Sequence, residues 1–143
     1  MVHAGVKTWL WRSHRQAGWA PWLVFIFYAV AAKGFNAYIL YPSLDMPTHF
    51  FGGAAIAYFF LSAATNVQAL TGAIPKSIRL LLALGMTAFV AVVWEFLEYA
   101  SDILLGTKMN LGVADTLSDL FFGLLGATVV LVVAVLFQAR SAR

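Results

Sequence analysis

Five of the six acidic residues in this 143-residue sequence, Glu95, Glu98, Asp102, Asp115 and Asp119, fall in one stretch from 95 to 119, and the sixth, Asp45, stands four residues before His49. Together they write three short motifs: Asp45-x-x-x-His49, Glu95-x-x-Glu98 and Asp115-x-x-x-Asp119. On a helix, spacings of three and four put both members of a pair on one face, so each motif can offer two ligands to a common centre. Carboxylates with a single imidazole, in a chain without cysteine, suit a divalent cation such as Zn, Mn, Fe or Mg rather than copper. Asp45, His49, Glu95, Glu98, Asp115 and Asp119 are therefore the candidate metal ligands. If one coordination position stays open, a bound cation turns a water into a nucleophile near neutral pH. A carboxylate left free of the cation would then serve as general base, with Glu98 and Asp102 the candidates. Asp102 qualifies because its offset of seven from Glu95 keeps it on the same helical face.

Other readings compete for the same residues. A histidine inside an apolar helix can be a hydrogen-bonded packing residue, or a tetrapyrrole ligand within a larger complex. Paired acids can form a proton path or a structural polar network, and Asp45 and Asp115 stand where helix N-caps stand. No nucleotide-binding loop, serine triad or cysteine signature is present.

The elements that must carry these motifs are membrane helices. The chain is 62% hydrophobic and 10% charged, where a soluble domain carries about 25% charged residues. Long apolar runs point to an all-α polytopic membrane protein with four transmembrane helices. The spans are expected at about 19 to 41, 47 to 65, 78 to 105 and 113 to 137, within a single transmembrane domain over 19–143. Residues 1–18, with Lys7, Arg12 and Arg15 among Trp9, Leu10 and Trp11, suit a basic, aromatic segment at the cytoplasmic interface. A cleaved signal peptide is the rival for the first apolar run, but apolar character resumes at Phe35 to Leu40. Lys33, in the second half of that run, would either snorkel to the interface or act as counter-ion to the acids. Pro47 in the first turn after Asp45 marks a helix start. Small residues at Gly53 and Ala57, at Gly85, Ala88 and Ala91, and at Gly123 and Gly126-Ala127 offer faces for close helix approach, within the chain or between copies.

Orientation follows from the cations. With the N-terminus inside, Lys7, Arg12, Arg15, Lys76, Arg79, Arg140 and Arg143 fall on the cytoplasmic side, and Lys33 and Lys108 on the other. That is a positive-inside bias for an N-in, C-in protein of the bacterial inner membrane. It brings all six acids and His49 to the outer, periplasmic ends of their helices, a coincidence that was no part of the cation count. An ionised side chain deep in a span costs about 2.5 to 3.5 kcal/mol, and crowded carboxylates repel one another; a metal ion would relieve both.

The stretches Asp45-Met46-Pro47-Thr48-His49-Phe50, Trp94-Glu95-Phe96-Leu97-Glu98-Tyr99 and Asp115-Thr116-Leu117-Ser118-Asp119, with Gly126-Ala127 downstream, resemble those of the YjdF-like bacterial inner-membrane proteins, in the neighbourhood of VanZ-like proteins. The resemblance covers about residues 45 to 127, in the same motif order. It implies the helical membrane fold and the grouping of the three motifs; it implies no particular reaction, and Asp102 is not part of it. Typical members carry further N-terminal spans than this sequence.

The combined expectation is a divalent-metal site near the outer face, suited to hydrolysis of a lipid-linked substrate held at the bilayer interface. The alternative is a non-enzymatic accessory subunit of a larger membrane complex, or an ion- or proton-coupled transporter component. The expected partners are the lipid bilayer, a lipid-linked substrate, and a larger complex or a second copy; nucleic acid is not among them.

Overall fold

The structure, a computed structural model, describes residues 2–141, and they are almost entirely helical. Helix α1 (Val2–Ser13) runs through a π-helical turn at His14–Gly18 into α2 (Trp19–Ala29), followed by a second π-helical turn at Val30–Gly34. A short α3 (Ala37–Leu40) and a 3₁₀ turn (Pro42–Leu44) lead into α4 (Asp45–Asn66), then α5 (Gln68–Thr71), α6 (Lys76–Leu105) and α7 (Val113–Ser141). The side chains of Lys33, Arg140 and Arg143, invoked above as counter-ion and orientation signals, lie outside the described residues.

Three helical stretches are long and apolar enough to cross a membrane: Pro42–Thr71, Lys76–Leu105 and Val113–Phe137. They carry the second, third and fourth expected spans. The segment expected to supply the first is interrupted rather than continuous. Asn36 takes a left-handed backbone conformation, φ +50°, which an asparagine tolerates better than most residues. It separates α3 from the π-helical turn before it.

Local chemistry sets the ends of the long helices. Pro75 precedes the first turn of α6, and Gly106, with φ +64°, closes it in the left-handed conformation that glycine accepts without strain. The seven-residue connection to α7 is tied down by Asp102, which accepts hydrogen bonds from the Thr107 hydroxyl, the Met109 amide (2.8 Å) and the Asn110 amide (3.0 Å). Asn110 in turn donates to Thr116 Oγ1 at 2.7 Å and accepts from the Gly112 amide at 2.8 Å.

Helix α4 sits at the centre, against α7, α6 and α2, with α1 alongside its C-terminal half. The α4–α7 contact is backbone on backbone: a Cβ at Gly53 would overlap the carbonyl of Gly123, and one at Gly126 would overlap the carbonyl of Phe50. Small residues allow this approach, and dispersion contacts along it hold membrane helices together. The buried apolar core is correspondingly made of small side chains, with Ala57, Ala83 and Ala127 fully enclosed beside Leu131. Phe89, Phe96, Leu104, Leu105 and Phe121 point outward, as lipid-facing side chains do. At the far end from the acids, the Trp9 indole donates to the Ala63 carbonyl (2.9 Å), and the Asn66 amide donates to Gln16 Oε1 (3.0 Å) and Ser13 Oγ (3.3 Å).

One expectation about α6 needs correction. Gly85 is exposed and has open space where a Cβ would stand, so it does not lie on the inward stripe. The buried positions of α6 are Ala83, Thr87, Glu95 and Glu98. Ten residues separate 85 from 95, about 80° short of three full turns at 100° per residue, so Gly85 cannot share a face with Glu95.

Candidate functional site

The acids gather because the start of α4, the end of α6 and the start of α7 meet at one end of the bundle. Asp45 and His49 are one turn apart on α4, and His49 Nε2 lies 3.4 Å from Asp45 Oδ1. Across the glycine-lined contact, His49 Nε2 is also 3.8 Å from Asp119 Oδ1 on α7. The register is set by the packing below: His49 precedes Gly53 by four residues, and Asp119 precedes Gly123 by four. Each is therefore one turn above the point where the two backbones touch.

Two sets of ligand atoms result. One is formed by His49, Glu95, Glu98 and Asp119, the other by Asp45, Asp115 and Asp119; within each, the atoms lie within 4.8 Å of one another. Around a cation with bonds of about 2.0 to 2.2 Å, ligand atoms stand roughly 3 to 4.4 Å apart, so either set could close on one ion with small side-chain movements. The six residues singled out by spacing as ligands are thus all brought to this end. Asp102 is not in either set: its two oxygens are occupied by the three donors of the α6–α7 connection.

Burial sharpens the picture. Glu95, Glu98 and Asp119 retain 6%, 4% and 2% of their exposure, where acidic residues almost never go unless paired. Glu95 Oε2, Glu98 Oε2 and Asp119 Oδ2 are buried without a hydrogen-bond partner. Among the described residues no lysine or arginine forms an ion pair with any of them. A buried carboxylate oxygen with neither donor nor cation is strongly unfavourable, so three of them beside one imidazole describe a site that wants positive charge.

The surroundings add features that spacing alone did not single out. Trp94 donates its indole N–H to Glu98 Oε1 at 2.7 Å, fixing one oxygen and leaving the other free. Its position one turn before Glu98 was a signal open to reading. Asp115, in the first turn of α7, accepts from the Leu111 amide at 2.8 Å through Oδ2; Leu111 precedes the helix, so this bond ties down the incoming connection and is not an N-cap. Tyr28, on α2, stacks edge-on against Trp94 and Tyr38, with centroids 5.5 and 5.4 Å apart. Tyr38 shares a 2.7 Å hydrogen bond with Thr48. Beneath the acids, a cavity of about 130 Å³ runs between α2, α4 and α6, lined by Val24, Phe25, Ile56 and Val90 and reaching Asp45, Thr48 and His49 at the site end.

Comparison with known proteins places this architecture. An uncharacterized protein of Thermotoga maritima is 35% identical over 83 residues, which is 57% of this chain and 42% of the relative. The chain thus spans less than half the length of that relative. No solved structure matches. The model of a family described as predicted membrane protein (DUF2238) matches residues 2–140, and with nearly its whole length covered the chain belongs to that family of membrane proteins.

Proposed function

We propose that this chain holds a divalent cation between His49, Glu95, Glu98 and Asp119, near the outer face of the bacterial inner membrane, and acts there as a hydrolase on a lipid-linked substrate. The observation that carries the reading is the trio of buried, unpartnered carboxylate oxygens on Glu95, Glu98 and Asp119, in one cluster with the His49 imidazole. The orientation rests on the cation count, with both termini inside and the segment from 19 to 41 completing a fourth crossing. The resemblance to YjdF-like proteins fits the family membership and adds no reaction.

A bound cation of this kind supplies a polarised water and a Lewis acid. The protein's share follows from its own side chains. His49, Glu95, Glu98 and Asp119 would supply the ion's ligands, and water would complete its shell, as in hydrolytic metal sites. Glu98, with Oε1 held by Trp94, would meet the ion through its free Oε2, a ligand rather than the proton acceptor; Asp102 is committed to the connection. The apolar cavity beneath the site gives a lipid tail somewhere to lie while its head reaches His49.

The test is metal content, by mass spectrometry, of the full chain purified gently without chelators. Near-stoichiometric metal that is lost in a still-helical Glu95→Gln variant supports the site, and metal-free wild-type protein overturns it. Gly52→Phe then addresses the substrate. The Gly52 Cβ position has only Val24 nearby, at 3.9 Å, so the ring can enter the cavity, and turnover of lipid-linked substrates should fall while metal content holds.

A proton or ion relay is the second reading, favoured by the contacts of His49 Nε2 with both Asp45 and Asp119. It fits an accessory or transporter subunit, and it predicts no stoichiometric metal. A tetrapyrrole ligand would need Nε2 to face a flat apolar slot; it faces two carboxylates instead.

A further inference from the structure

We propose that the centre is built for two divalent cations, with Asp119 as the carboxylate that bridges them. The inference rests on the metal-binding reading above and deepens it. One ion is assigned to His49, Glu95, Glu98 and Asp119, the other to Asp45, Asp115 and Asp119.

Asp119 belongs to both ligand sets, with its atoms within 4.8 Å of the other members of each. It is the most enclosed acid in the protein's described residues, 2% exposed, yet it makes no hydrogen bond through Oδ2, and Oδ1 has only His49 beside it at 3.8 Å. A buried carboxylate with both oxygens available is the geometry that a bridge between two ions requires, since paired ions sit about 3.5 to 4 Å apart. The neighbours are arranged to match. Asp115 uses Oδ2 to accept from the Leu111 amide, which orients the side chain and leaves Oδ1 for a ligand bond. Asp45 approaches His49 through Oδ1 and makes no contact with a lysine or arginine among the described residues.

The company of acids points the same way. Asp45, Glu95, Glu98, Asp115 and Asp119 bring five carboxyl groups to one end of the bundle, and the only cationic candidate among the described residues of the cluster is His49. Ionised carboxylates at such short range repel one another, and two divalent cations would offset more of that repulsion than one.

The experiment loads the full chain, in mild detergent, with Mn²⁺. Bound metal is then counted by mass spectrometry, and the electron paramagnetic resonance spectrum is recorded. Two Mn²⁺ per chain with an exchange-coupled spectrum is the expected result. Asp115→Asn, whose amide oxygen can still accept from the Leu111 amide, should lower the count from two to one and give the spectrum of an isolated ion. Asp45→Asn, on a different helix, should do the same. One Mn²⁺ per chain in the wild-type protein, unchanged in both variants, overturns the bridged pair and leaves the single-ion reading intact. No bound metal in any of them overturns both.

Discussion

Gly53→Ala should disable the proposed metal site from a distance, through the packing that sets its geometry. A methyl group at position 53 would overlap the Gly123 carbonyl, and such contacts do not persist below 3.0 Å. Because the obstacle is backbone, α4 and α7 must part locally by about 1 Å, and forcing an extra methyl into a packed contact costs about 1 to 3 kcal/mol. The same displacement is passed one turn up to His49 and Asp119, whose facing atoms are 3.8 Å apart. Metal–ligand distances tolerate about 0.2 Å, so a shift several times larger removes at least one ligand. The control is Gly85→Ala, where no atom lies within 4 Å of the new Cβ; there the helix gains up to about 1 kcal/mol in propensity. That gain is common to both variants, so unfolding in mixed micelles, followed by helical circular dichroism, should separate them by the packing cost of about 1 to 3 kcal/mol. Metal content should fall in the first alone. Wild-type stability and metal content in Gly53→Ala would refute the coupling between helix packing and the site.

Two further substitutions divide the roles of the neighbouring groups. Trp94→Phe removes the 2.7 Å hydrogen bond to Glu98 Oε1 while keeping an aromatic ring beside Tyr28; metal affinity, read by competition with a chromogenic chelator, should weaken about 10- to 100-fold, the usual effect of losing a group that orients a ligand. Asp102→Ala strips the acceptor from Thr107, Met109 and Asn110. The unfolding midpoint should drop and amide exchange across 107–110 should rise, while metal at His49, Glu95 and Glu98 stays bound; abolished turnover in a variant of unchanged stability would restore Asp102 as the general base.

The gathering of the acids was legible in the sequence because intramembrane carboxylates are expensive and helical spacing is rigid. Asp45 with His49, Glu95 with Glu98 and Asp115 with Asp119 each had to share a face. The alternating direction of successive helices then brings the start of α4, the end of α6 and the start of α7, and with them the three pairs, to one end. What spacing cannot carry is the phase of one helix against another. Gly85 looked inward as a small residue in an apolar run, yet the turn-by-turn phase of α6 is fixed by Ala83, Thr87, Glu95 and Glu98 against α4 and α7, which turns Gly85 to the lipid. Asp102 keeps step with Glu95 by periodicity, but it stands in the last turn of α6, where the amides of the following connection compete for its oxygens. The segment from 19 to 41 reads as an apolar stretch interrupted at Lys33 and Asn36, but the left-handed turn at Asn36 is a choice of backbone that hydropathy does not record. The same asymmetry explains why the bridging role proposed for Asp119 could not be read from its motif. Asp115 and Asp119 are equivalent by spacing, and only the α4–α7 contact at Gly53 and Gly123 drives one of them into the interior beside His49 while the other stays at the rim and holds the incoming chain at Leu111.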